Sequence, residues 1–238
     1  MISPHRLAAA RTAAAALATV ALVAACSISS SSSSSHSPVV SSLPAVTAPP
    51  SGAPAPSGPA PSAGGSQAAG NGSCPTTGPQ PMAGGEKKVV TIETAKGPIE
   101  ITVEADLGPL AAENFVDLAA CGFYDGTVFH RVVPGFVIQG GDPTGTGSGG
   151  PGYQFNDDPV TVPYKRGTVA MANAGKNTNG SQFFIVLQDV PEGGLAPSYS
   201  VFGHVTKGMD AVDAIAAAAN GVENPASPIK MDKVTVAP

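Results

Sequence analysis

One guanidinium stands inside an otherwise apolar stretch, Phe129-His130-Arg131-Val132-Val133-Pro134-Gly135-Phe136-Val137-Ile138-Gln139-Gly140-Gly141-Asp142. Arginine keeps its charge at any physiological pH and presents its N–H donors in a rigid planar fork. Held among aromatic and aliphatic neighbours, it suits hydrogen-bond donation to an atom that gains basicity as a reaction proceeds. The plain alternative is an arginine at a sheet edge with its head in water. Other chemistries lack their residues. The Gly145–Gly150 run has neither the strand-to-helix setting nor the Lys-Ser/Thr ending of a phosphate-binding loop. The four histidines are scattered, no Cys-x-x-Cys is present, and no Gly-x-Ser-x-Gly elbow offers a nucleophile.

A second stretch stands downstream: Met171-Ala172-Asn173-Ala174-Gly175, then Asn177-Thr178-Asn179-Gly180-Ser181-Gln182-Phe183-Phe184-Ile185. The two blocks, in this order, closely resemble the cyclophilin family of peptidyl-prolyl cis-trans isomerases, and the resemblance covers about residues 88 to 236. It implies a mainly β fold, a closed eight-stranded antiparallel barrel capped by two α-helices. It implies isomerase activity on X-Pro bonds with no cofactor and no metal. Catalytic roles carry over to Arg131, Phe136, Gln139 and Phe184. Phe136, Val137, Phe184 and Leu195 would line the proline pocket. Gln139, Asn173 and Gln182 would orient the substrate backbone, with Ala172 and the Asn173 main chain forming part of the groove. Phe129, Phe183, Phe202 and His130 are expected to be structural.

Two positions depart from the family pattern. Tyr199 stands where a pocket-edge histidine is usual, and Gly194 where many members carry a tryptophan; this chain has no tryptophan. That Trp donates a hydrogen bond to the inhibitor cyclosporin in many relatives, so only weak cyclosporin binding is expected. A lost bond with its burial costs on the order of 1–3 kcal/mol.

The elements that must position these residues are legible from periodicity. Pro134-Gly135 reads as a tight connection between two strands. Alternation puts Phe129, Arg131 and Val133 on one face and His130 and Val132 on the other. Beyond the turn it pairs Phe136 with Ile138, and Val137 with Gln139. Lys88–Thr94 and Ile99–Glu104 alternate around Ala95-Lys96-Gly97 as a hairpin. Residues 109–118 form a helix, with Pro109 at its start and Gly122 past its end. Further strands are expected near 168–172, 182–187, 201–205 and 233–236, a helix over 209–219, and a long loop over 142–166.

The N-terminal third is of another kind. Residues 1–25 combine a basic start with a short apolar run, Ala13 to Ala25, as in an export signal. The run is shorter than the ~20 apolar residues a membrane span needs. It ends Leu22-Val23-Ala24-Ala25-Cys26, which resembles a bacterial lipobox with Cys26 as the lipidated residue. Ordinary secretory cleavage is the alternative. Residues 26–85 read as a linker of Ser, Pro, Ala and Gly without Asp, Glu, Lys, Arg or aromatics. As a flexible coil it would span ~45 Å. The folded domain is expected over 86–238. It holds all 17 acidic residues and ten of the 12 basic ones. That balance argues against nucleic acid and against electrostatic binding to anionic lipid.

The expected protein is therefore an exported monomer, anchored by lipid at Cys26 to the extracytoplasmic face of a bacterial membrane. Its partners would be proline-containing peptides and unfolded or exported proteins. A surface-displayed peptide-binding or host-interaction module of the same fold is the second functional class. Cys74 and Cys121 are the remaining thiols, and the sequence leaves their pairing open.

Overall fold

The structure, a computed structural model, describes residues 73–238. Cys26, the expected export segment and most of the Ser/Pro-rich stretch lie outside the described residues. Eight strands and two α-helices follow in the order β1 Lys87–Thr94, β2 Ile99–Glu104, α1 Pro109–Ala120, β3 Arg131–Val133, β4 Val137–Gly140, β5 Thr168–Met171, β6 Phe183–Val186, β7 Val201–Lys207, α2 Met209–Ala218 and β8 Met231–Val236. Each falls where hydrophobic periodicity places it. Among the described residues no helix is long and apolar enough to cross a membrane.

The strands form one antiparallel sheet in the order β3-β4-β6-β5-β7-β2-β1-β8. The expected closed barrel is not formed. The sheet curls into an open half-barrel whose end strands, β3 and β8, do not pair with each other. β3 is only three residues long and stops at Pro134, and its Val132 N–H is taken by the Glu223 carbonyl at 2.7 Å, from an irregular segment. The chain just before β3 spans part of the gap instead. Phe129 N–H donates to Ile229 O (2.9 Å) and Met231 N–H to Thr127 O (2.8 Å), beside a single bridge between Val128 and Lys230. Irregular pairing of this kind still occupies the backbone groups of a short edge.

Alternation along the strands builds two apolar regions. Val132, Ile138, Val169, Phe183 and Ile185 join the main core with Val90, Ile92, Ile101, Phe115 and Phe202. Their neighbours Val137, Ala170, Phe184 and Val186 point the other way into a second cluster. Residues Tyr164, Val160, Val162, Val190, Leu195 and Tyr199 cover that face.

α1 packs Ala111, Ala112, Phe115, Leu118 and Ala119 into the main core. Phe115 stacks within 5.1 Å of Phe183 and 4.9 Å of Phe202, centroid to centroid. Burying one such ring contributes roughly 1.5–3 kcal/mol. The helix has Pro109 in its first turn and no side-chain cap of its own. Asp158, from the long loop, caps it across the fold. Its carboxylate accepts from Leu110 N–H (3.2 Å) and Ala111 N–H (2.9 Å). Gly108 leaves room for this, since a Cβ there would stand 3.1 Å from Asp158 Oδ2 and 2.5 Å from Val201 O.

At the far end of α1, Cys121 forms a disulfide with Cys74, with Cα atoms 5.1 Å apart. Met82 is buried in the core and its N–H donates to Pro109 O at 3.0 Å. Packed structure therefore extends N-terminally of Glu86, where the composition changes.

Candidate active site

The strand register assembles the site. Arg131 on β3 is the partner of Gln139 on β4, Gln139 of Phe184 on β6, and Phe184 of Ala170 on β5. These four residues form one row across four neighbouring strands. With strands ~4.8 Å apart, the Arg131 and Phe184 backbones stand ~10 Å apart, roughly the span of three extended residues. The adjacent row is Val133, Val137 and Val186. An apolar floor thus lies beside a charged donor, on one face of the sheet.

Two expected facings change. Phe136 lies in the Pro134–Phe136 turn rather than on β4, where Gly135 adopts φ +71°. Phe136 packs with the outer cluster, whereas Ile138 belongs to the main core. Phe129 likewise precedes β3 and sits in the main core, apart from Arg131. Strand alternation does not extend through a turn or beyond the last paired residue.

A chain of hydrogen bonds holds the polar side of the row. Arg131 Nη1 donates to Gln139 Oε1 (3.3 Å), and Gln139 Nε2 donates to Gln182 Oε1 (3.0 Å). Gln182 Nε2 in turn donates to the carbonyls of Gly147 (3.0 Å) and Gly149 (2.9 Å). That glycine loop is wrapped around Asp142, a fully buried carboxylate. Asp142 accepts from the N–H groups of Thr144 (2.7 Å), Gly147 (2.6 Å) and Gly149 (3.1 Å). Burial alone would raise the Asp142 pKa, but these donors outweigh it and hold the carboxyl below its ordinary value. Arg131 Nε pairs with Glu223 Oε1 at 2.7 Å.

The apolar side is built from Phe136, Phe184, Leu195 and Tyr199, with Val137 buried beneath them. Tyr199 meets Phe184 edge to face, with centroids 5.6 Å apart, an arrangement worth about 0.5–1.5 kcal/mol beyond its buried area. Tyr164 braces the covering loop. Its hydroxyl donates to the carbonyls of Ala196 (3.3 Å) or Tyr199 (3.1 Å) and accepts from Tyr199 N–H (3.2 Å). Asn173 Nδ2 donates to Ser198 O at 2.8 Å, so its side chain ties this loop to the Ala172–Gly175 segment. Ala172 is fixed by its N–H to Gln182 O at 2.9 Å. Gly194 lies in a turn closed by its N–H to Pro191 O (2.9 Å). A Cβ at Gly194 would stand 3.0 Å from Pro191 O and 3.1 Å from Val190 Cγ1.

All ten expected site residues of the domain therefore lie on or around this row. Cys26 is outside the described residues. Among the described residues no group of three or more His, Cys, Asp or Glu is placed to hold a metal ion. Glu223, Asp142 and Tyr164 were not expected from the sequence. Glu223 lies 92 residues from Arg131 in a segment without periodicity, so no local signal marks it.

The curled antiparallel sheet, with a guanidinium in line with a loop-covered apolar cluster, is of the cyclophilin class. The chain belongs to the cyclophilin type peptidyl-prolyl cis-trans isomerase family, whose model matches residues 89–236. It is 44% identical over 154 residues to peptidyl-prolyl cis-trans isomerase CYP18-1 of Arabidopsis thaliana, covering 62% of this chain and 94% of that one. It is 42% identical over 171 residues to the probable peptidyl-prolyl cis-trans isomerase A of Mycobacterium leprae, covering 63% and 93%. Among solved structures it resembles a Cryptosporidium parvum cyclophilin type peptidyl-prolyl cis-trans isomerase, with TM-score 0.59 and 34% identity over 64% of this chain and 99% of that one. A second crystal structure of that protein, obtained in the presence of the dipeptide Ala-Pro, gives TM-score 0.58 at 35% identity.

Proposed function

We propose that this chain accelerates rotation about X-Pro peptide bonds in exported, unfolded proteins while tethered to the outer face of a bacterial membrane. The observation that carries the catalytic part is the row Arg131–Gln139–Phe184, which sets a fixed cation beside an apolar cluster. Rotation about a peptide bond must overcome ~18–20 kcal/mol of lost amide resonance. As the bond twists, the prolyl nitrogen becomes pyramidal and basic. Phe136, Phe184, Leu195 and Tyr199 hold the ring, Gln139 and Gln182 with the Ala172–Asn173 backbone hold the flanking amides, and Arg131 donates to the nitrogen. Only the last interaction strengthens at the twisted state, and that difference lowers the barrier. No bond is made to the protein. The Ala-Pro dipeptide used with the C. parvum relative supports a proline-containing ligand here.

The Cys74–Cys121 disulfide supports the exported location, since such bonds persist in oxidising compartments. Lipid at Cys26 would supply the tether, and the Ser/Pro-rich segment the spacing. A protease-coupled peptide assay on the purified chain tests the activity. Turnover of an Ala-Pro peptide above the spontaneous rate is expected, and its absence refutes the reading. Fractionation of cells expressing wild type and Cys26→Ser tests the anchor. The wild type should stay with membranes and carry lipid mass, and equal release of both proteins refutes it.

A further inference from the structure

The ion pair of Arg131 with Glu223 stands beside the apolar cluster that holds Phe136 and Phe184. Glu223 is held at two points on β3. Its carbonyl accepts from Val132 N–H at 2.7 Å, and its Oε1 accepts from Arg131 Nε at 2.7 Å. The backbone bond fixes where the carboxylate can reach. The side chain remains 53% exposed, and that of Arg131 35% exposed, so both are open to solvent. Gln139 occupies Arg131 Nη1, and Nη2 has no partner among the described residues. Glu223 Oε2 likewise has none among them. A donor and an acceptor of opposite charge thus stand side by side next to the apolar cluster.

We propose that Glu223 is a specificity-determining residue, favouring substrates with a lysine or arginine close to the isomerised proline and disfavouring those with an acidic residue there. This rests on the reading of Arg131 as the donor at the reacting bond. Arg131 alone would place a net positive charge at the rim, attracting carboxylates and repelling ammonium groups. The Glu223 carboxylate cancels that charge and adds an acceptor for a substrate cation. Removing it changes the local charge from zero to +1. Exposed pairs interact weakly, but peptides of opposite charge move in opposite directions, so their ratio carries both effects. Screening at physiological salt begins at ~8 Å, which confines the effect to residues beside the proline.

The test uses the full chain and three peptides identical except for Lys, Ala or Glu beside the proline. kcat/KM is measured for wild type, Glu223→Gln and Glu223→Lys. The Lys-to-Glu peptide ratio cancels any change common to both substrates, including a shift in Arg131 geometry. The ratio should fall by roughly three- to tenfold in Glu223→Gln, further in Glu223→Lys, and the difference should shrink at ~1 M salt, where the Debye length is ~3 Å. Turnover of the Ala peptide with a ratio that does not move between variants overturns this inference and leaves the isomerase reading standing. No turnover of any peptide by the wild type overturns both.

Discussion

Breaking the Cys74–Cys121 bond should cost stability without costing turnover. The bond closes a loop with a sequence separation of 47. Chain-entropy bookkeeping for a loop of that length gives ~4 kcal/mol of stabilisation, through restriction of the unfolded chain. For a folded domain of this size, each kcal/mol shifts the midpoint by about 2–4 °C, so Tm should drop by roughly 8–16 °C. Cys121 is buried in the main core, whereas the proposed proline recess belongs to the outer cluster. Reduction should therefore leave kcat/KM unchanged at temperatures where both forms are folded. The assay is thermal unfolding by circular dichroism of oxidised protein, reduced protein and the double variant Cys74→Ser/Cys121→Ser, with peptide turnover measured alongside. Reduction without substitution separates the cross-link from any loss of packing at Cys121. A midpoint change below ~2 °C would refute the entropy argument, and two titratable thiols in oxidised native protein would refute the bond itself.

Three further outcomes follow from other contacts. Asp158→Ala removes both acceptors at the start of α1 and should destabilise by about 0.5–2 kcal/mol in denaturant titration; an unchanged midpoint refutes the cross-fold cap. His130 is buried, neither ring nitrogen meets a partner in good hydrogen-bond geometry among the described residues, and burial lowers its pKa below 6.5. The unfolded chain then binds the proton first, so the His130 contribution is fully present above pH ~6.5 and is lost as pH falls through the folded-state pKa. Tm should decline on acidification from pH 7.5, less steeply in His130→Leu, and equal slopes refute this. Cyclosporin should inhibit at least tenfold more weakly than it inhibits Trp-bearing relatives titrated in parallel, since ~1.4 kcal/mol is a factor of ten. Equal inhibition refutes that reading of Gly194. Gly194→Trp is a poor rescue, because its Cβ would press on Pro191 and Val190.

Much of this protein is legible in its sequence because the elements are local. The alternation of 99–104 and the Pro109 start of α1 need no distant partner to be read. The row Arg131–Gln139–Phe184 was reachable only through the two family blocks, since cross-strand register is a long-range property. What could not be read depends on contacts between segments far apart in the chain. Asp158 caps a helix 48 residues upstream, and Glu223 meets Arg131 across 92. The open edge between β3 and β8 depends on the same Glu223 segment. Phe136 faces the outer cluster rather than sharing a face with Ile138 because the turn is one residue longer than Pro134-Gly135 suggests and β4 starts at Val137. Met82 sits in a stretch whose composition matches a linker, and only its packing against the helix start shows otherwise.

The most direct test of the account is the isomerase activity of Arg131→Ala and Arg131→Lys beside wild type, on an uncharged Ala-Pro peptide. Circular dichroism and Tm should match wild type, because Arg131 lies at the surface end of its row. kcat/KM should fall on the order of 10²–10³-fold in Arg131→Ala, the scale for losing one preorganised donor. Lysine should recover only part of it, since a flexible point charge replaces a fork anchored by Gln139 and Glu223. A folded Arg131→Ala protein that turns over the peptide at the wild-type rate would contradict the central claim.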